Sequence, residues 1–236
     1  EGALLFALLP PDIRNGSRTF PRAEERVQNE ESTPQLLTAR LDERFVIYQS
    51  FIRSTFAQKG SIMVVVPSAV DVAFVKQQLQ QGVQERVITF SPTQTKRQRD
   101  DAYAKLEDTT SAKLIITTPT HAYLERSDLL AIIVEQAASG HYVTRQRPYL
   151  DHRDALIAYA ATTQRSILFG DTLPRTEDEV RRREETYLTY GEEVKRIAFT
   201  APLSIITQQD KPKPDVPFRL FSEELRVSVE RALEGK

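Results

Sequence analysis

The segment Ala131-Ile132-Ile133-Val134-Glu135-Gln136 is an apolar strand closed by an acid and an amide. An acid at such a strand end can hold magnesium against the phosphates of a nucleotide, and a second acid beside it would orient the attacking water. Here the second position is Gln136, a neutral amide that takes up no proton. The plain alternative is a strand that finishes at a solvated glutamate. Nucleotide hydrolysis also needs a loop of pattern G-x-x-x-x-G-K-[ST], whose bare backbone N–H groups wrap the phosphates. The glycines stand at positions 2, 16, 60, 82, 140, 170, 191 and 235, and no two are five apart. Gly-Lys occurs only at Gly235-Lys236, and there is no G-x-G-x-x-G. The phosphate loop is therefore absent.

A second group of residues suits nucleic acid. Arg145, Arg147 and Arg153 cluster with Tyr142 and Tyr149. Cations track phosphates and rings stack on bases, which is the chemistry of single-strand binding. Asp151 and Asp154 lie in the same stretch, so an internally paired, solvated face is the competing reading. Thr117 and Thr118 end another apolar run and can touch a phosphate backbone or cap the turn after Pro119. Lys96, Arg97 and Arg99 read as a solvated helix face. Arg181-Arg182-Arg183 follows Glu177-Asp178-Glu179 at i,i+4 and reads as a self-satisfied surface. His121, His141 and His152 could meet Glu135 at a metal, but no two histidines are closer than eleven residues, so a helical His-x-x-x-His site is excluded.

Composition narrows the classes further. Lys plus Arg is 32 and Asp plus Glu is 33, which argues against a polybasic DNA binder. There is no cysteine, so disulfide frameworks, zinc ribbons and thiol nucleophiles are excluded. No apolar run reaches the ~20 residues of a membrane span. The expectation is a soluble, cytoplasmic protein, and the start at Glu1 reads as a fragment or processed piece.

The elements that must position these residues follow from periodicity. β-Branched or apolar runs at 62–66, 86–90, 113–117, 131–134 and 166–169 read as strands, with a further one at 203–207. Between them lie helical stretches: 42–59, with Phe45, Tyr48, Ile52 and Phe56 on one stripe; 68–81; a helix opened by Ser91-Pro92-Thr93-Gln94 and running to Glu107; 149–162; 176–185; and 222–233. Residues 14–35 are polar and read as a linker. Short strands alternating with helices predict an α/β fold, a parallel sheet with helices on both faces and chemistry at the carboxyl ends of the strands.

Several segments, in order, resemble the primosomal replication-restart helicase family, PriA. They are Val64-Val65-Val66-Pro67-Ser68, Ile116-Thr117-Thr118-Pro119-Thr120-His121-Ala122-Tyr123-Leu124, Ala131 to Ala138, Arg147-Pro148-Tyr149-Leu150-Asp151-His152-Arg153-Asp154, Phe169-Gly170-Asp171-Thr172-Leu173-Pro174-Arg175 and Leu220 to Leu225. Gly2 to Arg14 is similar to the segment that closes the family's amino-terminal DNA-binding domain. The family's phosphate loop would precede the helix at Asp42, where Thr38-Ala39-Arg40-Leu41 stands, and its Asp-Glu-Glu-His box reads Glu-Gln-Ala-Ala.

The resemblance implies a RecA-like (P-loop NTPase-type) helicase lobe lacking the P-loop. It implies residues 1–14 as the end of a DNA-binding region, 15–35 as linker, 36–200 as the lobe and 201–236 as a connection to a second lobe. Members of the family are ATP-dependent DNA helicases. For this chain the expectation is no catalytic residue, with Glu135 and Gln136 a degenerate magnesium box and Gly170, Asp171 and Thr172 its companion motif. DNA contacts are expected from Thr118, Arg147, Tyr149 and Arg153. No metal and no cofactor are expected, ATP and magnesium entering only with residual nucleotide binding. The partners implied are single-stranded or branched DNA and replication-restart proteins, with no membrane. A weak DNA-dependent ATPase completed by a second lobe, and an α/β protein-interaction module, stay open beside this.

Overall fold

Ile62-Met63-Val64-Val65-Val66 sends its side chains alternately into two separate cores. Ile62, Val64 and Val66 join one apolar cluster, while Met63 and Val65 join another. All five are fully buried. A strand buried on both faces needs a helical layer on each side, and the chain supplies both.

The computed structural model describes Arg14, residues 33–191 and residues 223–234. The chain divides into two units, Glu1–Val194 and Lys195–Lys236. In the first, the order is β1 (Gln35–Thr38), α1 (Leu41–Ala57), β2 (Ser61–Val65), α2 (Ala69–Leu79), β3 (Val87–Phe90), α3 (Lys96–Glu107), β4 (Leu114–Thr117), β5 (Leu129–Glu135), α4 (His152–Thr162), β6 (Ser166–Asp171), α5 (Thr176–Arg183) and β7 (Leu188–Thr189). The described part of the second unit is α6 (Glu223–Leu233).

Seven strands form one sheet in the order β3-β4-β2-β5-β6-β1-β7. Every pair is parallel. From β1 to β3 the chain moves toward one edge, and from β3 to β7 it moves back. Right-handed crossovers require the helices to change face when the direction reverses. They do: Phe45, Tyr48, Ile52, Val72, Val75 and Leu79 of α1 and α2 fill one core, and Ala102, Tyr103, Leu106, Leu156 and Ala160 of α3 and α4 fill the other. The expected α/β class, with a parallel sheet and helices on both faces, is the observed one.

Several local expectations change. β1 was not foreseen; it is four residues long, with Leu36 in one core and Leu37 in the other. It begins at Gln35, inside the stretch expected as linker. Helix α3 starts at Lys96, not Pro92, because Thr95 and Gln98 form the capping box. The Gln94 carboxamide is used elsewhere: it donates to the Thr89 carbonyl at 2.8 Å and accepts from the Ser91 amide at 3.0 Å. Gln94 thereby occupies two main-chain groups at the carboxyl end of the edge strand β3. Helix α4 starts at His152, not Tyr149, because Asp151 is its cap and accepts from the Arg153 amide. The strand expected at 203–207 and the segment 1–13 lie outside the described residues.

Candidate functional site

The carboxyl ends of β1, β5 and β6 meet at one end of the sheet. Thr38 pairs with Asp171, and Glu135 pairs with Gly170. Residues 135, 136, 171 and 172 gather here as the sequence predicts. At this junction the connection after β1 leaves toward one face and the connections after β5 and β6 toward the other, which is where open α/β sheets bind ligands.

The crevice is filled by the protein's own side chains. Glu135 is the last residue of β5 and is 1% exposed. Arg44, on the first turn of α1, is 2% exposed and meets it with two bonds, Nη2 to Oε1 at 2.6 Å and Nε to Oε2 at 3.1 Å. Tyr48, one turn further along α1, donates its hydroxyl to Oε2 at 2.7 Å. The remaining Arg44 nitrogen donates to the Ala39 carbonyl at 2.7 Å and to Thr172 Oγ1 at 2.9 Å. Tyr142 donates to the main-chain carbonyls of Glu135 and Val65 at 2.7 and 2.9 Å. Glu135 is thus neither a solvated strand end nor a free acid; both carboxylate oxygens are engaged. A bidentate guanidinium–carboxylate pair with an added hydroxyl donor is the geometry that makes a buried pair tolerable.

The electrostatics agree with that geometry. Burial pulls the Arg44 guanidinium down, but the hydrogen bond and charge of Glu135 outweigh it and leave the pKa above its ordinary value. Burial first, and the Glu135 charge second, push the Tyr48 phenol well above its usual range. Arg44 stays a cation and Tyr48 stays a neutral donor.

Gly170 is tied to this arrangement. A methyl built there would overlap the Tyr48 hydroxyl and lie 3.3 Å from Glu135 Oε2. Asp171 fastens the rim: its carboxylate accepts from the amides of Ala138 at 2.8 Å and Thr172 at 2.6 Å, and its carbonyl accepts from Ala39 at 3.1 Å. Gln136 adopts φ 52°, which turns the chain sharply off β5.

Magnesium-ATP does not fit these residues. Only Ala39 and Arg40 lie between β1 and α1, too short a turn for the eight-residue phosphate loop. Both Glu135 oxygens are taken, and the neighbouring Gln136 is an amide. No group of three or more His, Asp or Glu suited to a metal occurs among the described residues. The histidines do not converge: His152 Nδ1 meets the Tyr123 hydroxyl at 3.0 Å, His121 stacks on Phe90, and His141 is exposed beside Ser139.

The basic–aromatic stretch separates into two parts. Arg153 is 4% exposed and points inward, bound to Asp151 at 2.7 and 2.8 Å and donating to the Ala137 carbonyl at 2.7 Å. Asp151 also takes Arg175 at 3.3 Å. Arg153 therefore ties the loop after β5 to the cap of α4 and does not reach solvent. Thr118 is likewise 4% exposed, with its hydroxyl 3.0 Å from that of Thr120. Arg145, Arg147 and Tyr149 stand outward, Tyr149 at 68% exposure. Their loop is pinned by Thr144, whose hydroxyl donates to the Pro148 carbonyl at 2.9 Å and accepts from the Leu150 amide at 2.7 Å. Arg181 to Arg183 are largely paired, but chiefly through Glu179, which takes Arg182 and Arg183; Arg181 reaches Asp154 at 3.2 Å, while Asp178 turns inward to Arg175.

Arg44 and Tyr48 were missed as site residues. The available signal was an arginine inside the apolar arc of α1, one turn before Tyr48, where a cation needs a buried partner.

No protein-family model matches the chain, and no curated protein matches it. Among solved structures, the Hef helicase domain of Pyrococcus furiosus matches at 12% identity and a TM-score of 0.49, covering 67% of this chain and 35% of that one. The UvsW helicase of bacteriophage T4 matches at 10% identity and 0.46, covering 76% and 66%. The DEAD-box helicase domain 2 of Mss116p, bound to an RNA duplex, matches at 10% identity and 0.47, covering 68% and 65%. The chain thus spans about a third of the first of these structures. No described helix is long and apolar enough to cross a membrane.

Proposed function

We propose that this chain is a helicase-type motor lobe of the PriA kind whose nucleotide site has been closed by an internal ion pair, and that it binds DNA without hydrolysing ATP. The observation that carries the reading is the buried Arg44–Glu135–Tyr48 cluster at the switch point of the sheet. The residue that would hold magnesium instead holds an arginine, and the turn that would wrap phosphates is two residues long. Positioning and electrostatic stabilisation of the phosphoryl group supply most of such catalysis, and among the described residues at this switch point the carboxylate is already engaged and the turn is too short. Single-stranded or branched DNA and replication-restart proteins are the partners the sequence resemblance implies.

DNA contact falls to the loop after β5. Arg145 and Arg147 have exposed side chains, and Tyr149 offers an exposed ring for stacking. Two phosphates neutralised on a single strand give a slope of log affinity against log salt of about −1.4. Arg145→Ala with Arg147→Ala should bring that slope close to zero and weaken binding to all sequences alike. DNA affinity and slope unchanged in this double variant would refute the assignment of the loop. Magnesium-dependent, DNA-stimulated ATP turnover that disappears with Glu135→Ala would refute the non-hydrolytic reading and establish the weak ATPase instead.

A further inference from the structure

Helices α1 and α2 lie side by side on one face of the sheet, and their seam is apolar where it reaches solvent. Phe45 meets Phe74 edge-on, with ring centroids 5.7 Å apart. One turn further along both helices, Gln49 Nε2 donates to the Gln78 carbonyl at 3.1 Å. The i,i+4 rows are therefore in register, Leu41–Phe45–Gln49 along α1 and Val70–Phe74–Gln78 along α2. The glutamine pair closes the lower end. The upper end opens at the carboxyl rim, where Leu41 is 40%, Val70 79% and Phe74 38% exposed. Val46, 64% exposed, extends the patch along α1. A groove between two helices accepts the ridge of a third, and a contiguous exposed apolar patch marks such contacts.

The charges around the patch choose among occupants. Asp42, Glu43 and Asp71 stand on the first turns of the two helices, against one exposed cation on the preceding residue, Arg40, because Arg44 on the same turn is buried against Glu135. Arg40 already lies 3.7 Å from Asp42. An acidic border repels nucleic acid, and across a two-fold axis it would set like charges face to face with a second copy. It suits an apolar stripe flanked by Lys or Arg. We propose that the α1–α2 seam is a docking site for a basic amphipathic helix of a partner protein. This surface is separate from the DNA-binding loop, and the proposal does not depend on the closed nucleotide site.

The test uses the full chain and a synthetic helix with Leu at i, i+3, i+4 and i+7 and Lys on its flanks, beside a twin with Glu on the flanks. The Lys helix should shift the NMR resonances of Leu41, Val46, Val70 and Phe74, and added salt should weaken it. Val46→Gln with Val70→Gln changes two exposed positions without altering charge, and it should lower affinity at least about tenfold. Asp42→Lys should weaken the Lys helix and strengthen the Glu twin. Shifts centred on another surface, equal binding of the two helices, or unchanged affinity in the double Gln variant would overturn the proposal. A concentration-dependent dimer that the double Gln variant abolishes would assign the seam to a second copy and overturn it as well.

Discussion

Replacing Arg44 by Met strands a carboxylate that is 1% exposed and loses two of its three donors. Breaking one side of a buried pair costs about 3–5 kcal/mol, because the remaining charge has neither water nor partner. The bond geometry at 2.6 and 3.1 Å, and the near-total burial of both groups, put this pair in that range and not in the ~0–1 kcal/mol range of surface pairs. Replacing the whole cluster by apolar groups, Arg44→Met with Tyr48→Phe and Glu135→Leu, removes the stranded charge and the orphaned hydroxyl together. That triple variant should recover most of the loss, since apolar replacements of buried pairs are often neutral or stabilising. Urea unfolding at neutral pH measures both, with the slope against urea unchanged if only native stability moves. The coupling between positions 44 and 135 should be about 2–3 kcal/mol in a double-mutant cycle. A loss under ~1 kcal/mol in Arg44→Met, or additivity within ~0.5 kcal/mol in the cycle, would refute the claim that this pair fills the site.

Three further outcomes follow from the same geometry. Gly170→Ala should destabilise by about 1–3 kcal/mol through overlap with Tyr48, and Tyr48→Phe should rescue it only in part, because the ring carbon bearing the hydroxyl would still lie 2.9 Å from the added methyl; differential scanning calorimetry of the three variants checks this. Tyr48 and Tyr142 hold raised phenol pKa values, burial being the larger cause. Their native states keep protons that the unfolded chain releases near pH 10, so stability is full below that point and falls as pH rises above it, by about 1.4 kcal/mol per phenol per pH unit; alkaline urea titrations should show that slope, and Tyr48→Phe, compared at each pH with its own neutral value, should reduce it. Asp151→Ala leaves the buried Arg153 without its carboxylate and should cost about 3 kcal/mol while loosening the loop that carries Arg147 and Tyr149, which hydrogen exchange at the Thr144 and Leu150 amides reads directly.

Five of the seven strands, β2 to β6, were legible because they are short apolar runs rich in β-branched residues that alternate with helical stretches, whereas the two-residue β7 carries no such run. β1 was not legible either, since four residues after a proline carry no periodicity, and its place comes from pairing with β6 far along the chain. The absence of a phosphate loop was legible because that motif is contiguous. What stands in its place was not: Arg44 and Glu135 are 91 residues apart, and no local pattern announces their meeting. Arg153 shows the opposite difficulty. Its sequence neighbours Arg147 and Tyr149 suggest a nucleic-acid face, yet the Asp151 cap turns it inward. Side-chain direction at a helix start is decided by the cap, and two overlapping caps, at Ser91 and Thr95, show the same ambiguity in α3.

The closed site is tested most directly by the stability of the full chain in magnesium-ATP. A nucleotide that binds the native state at a hundredfold excess over its dissociation constant adds about 2.7 kcal/mol. The account predicts no change in the unfolding midpoint between buffer with magnesium alone and the same buffer with saturating magnesium-ATP. A saturable, magnesium-dependent rise in that midpoint would contradict it, because ATP would then be entering a crevice that Arg44, Tyr48 and Glu135 already fill.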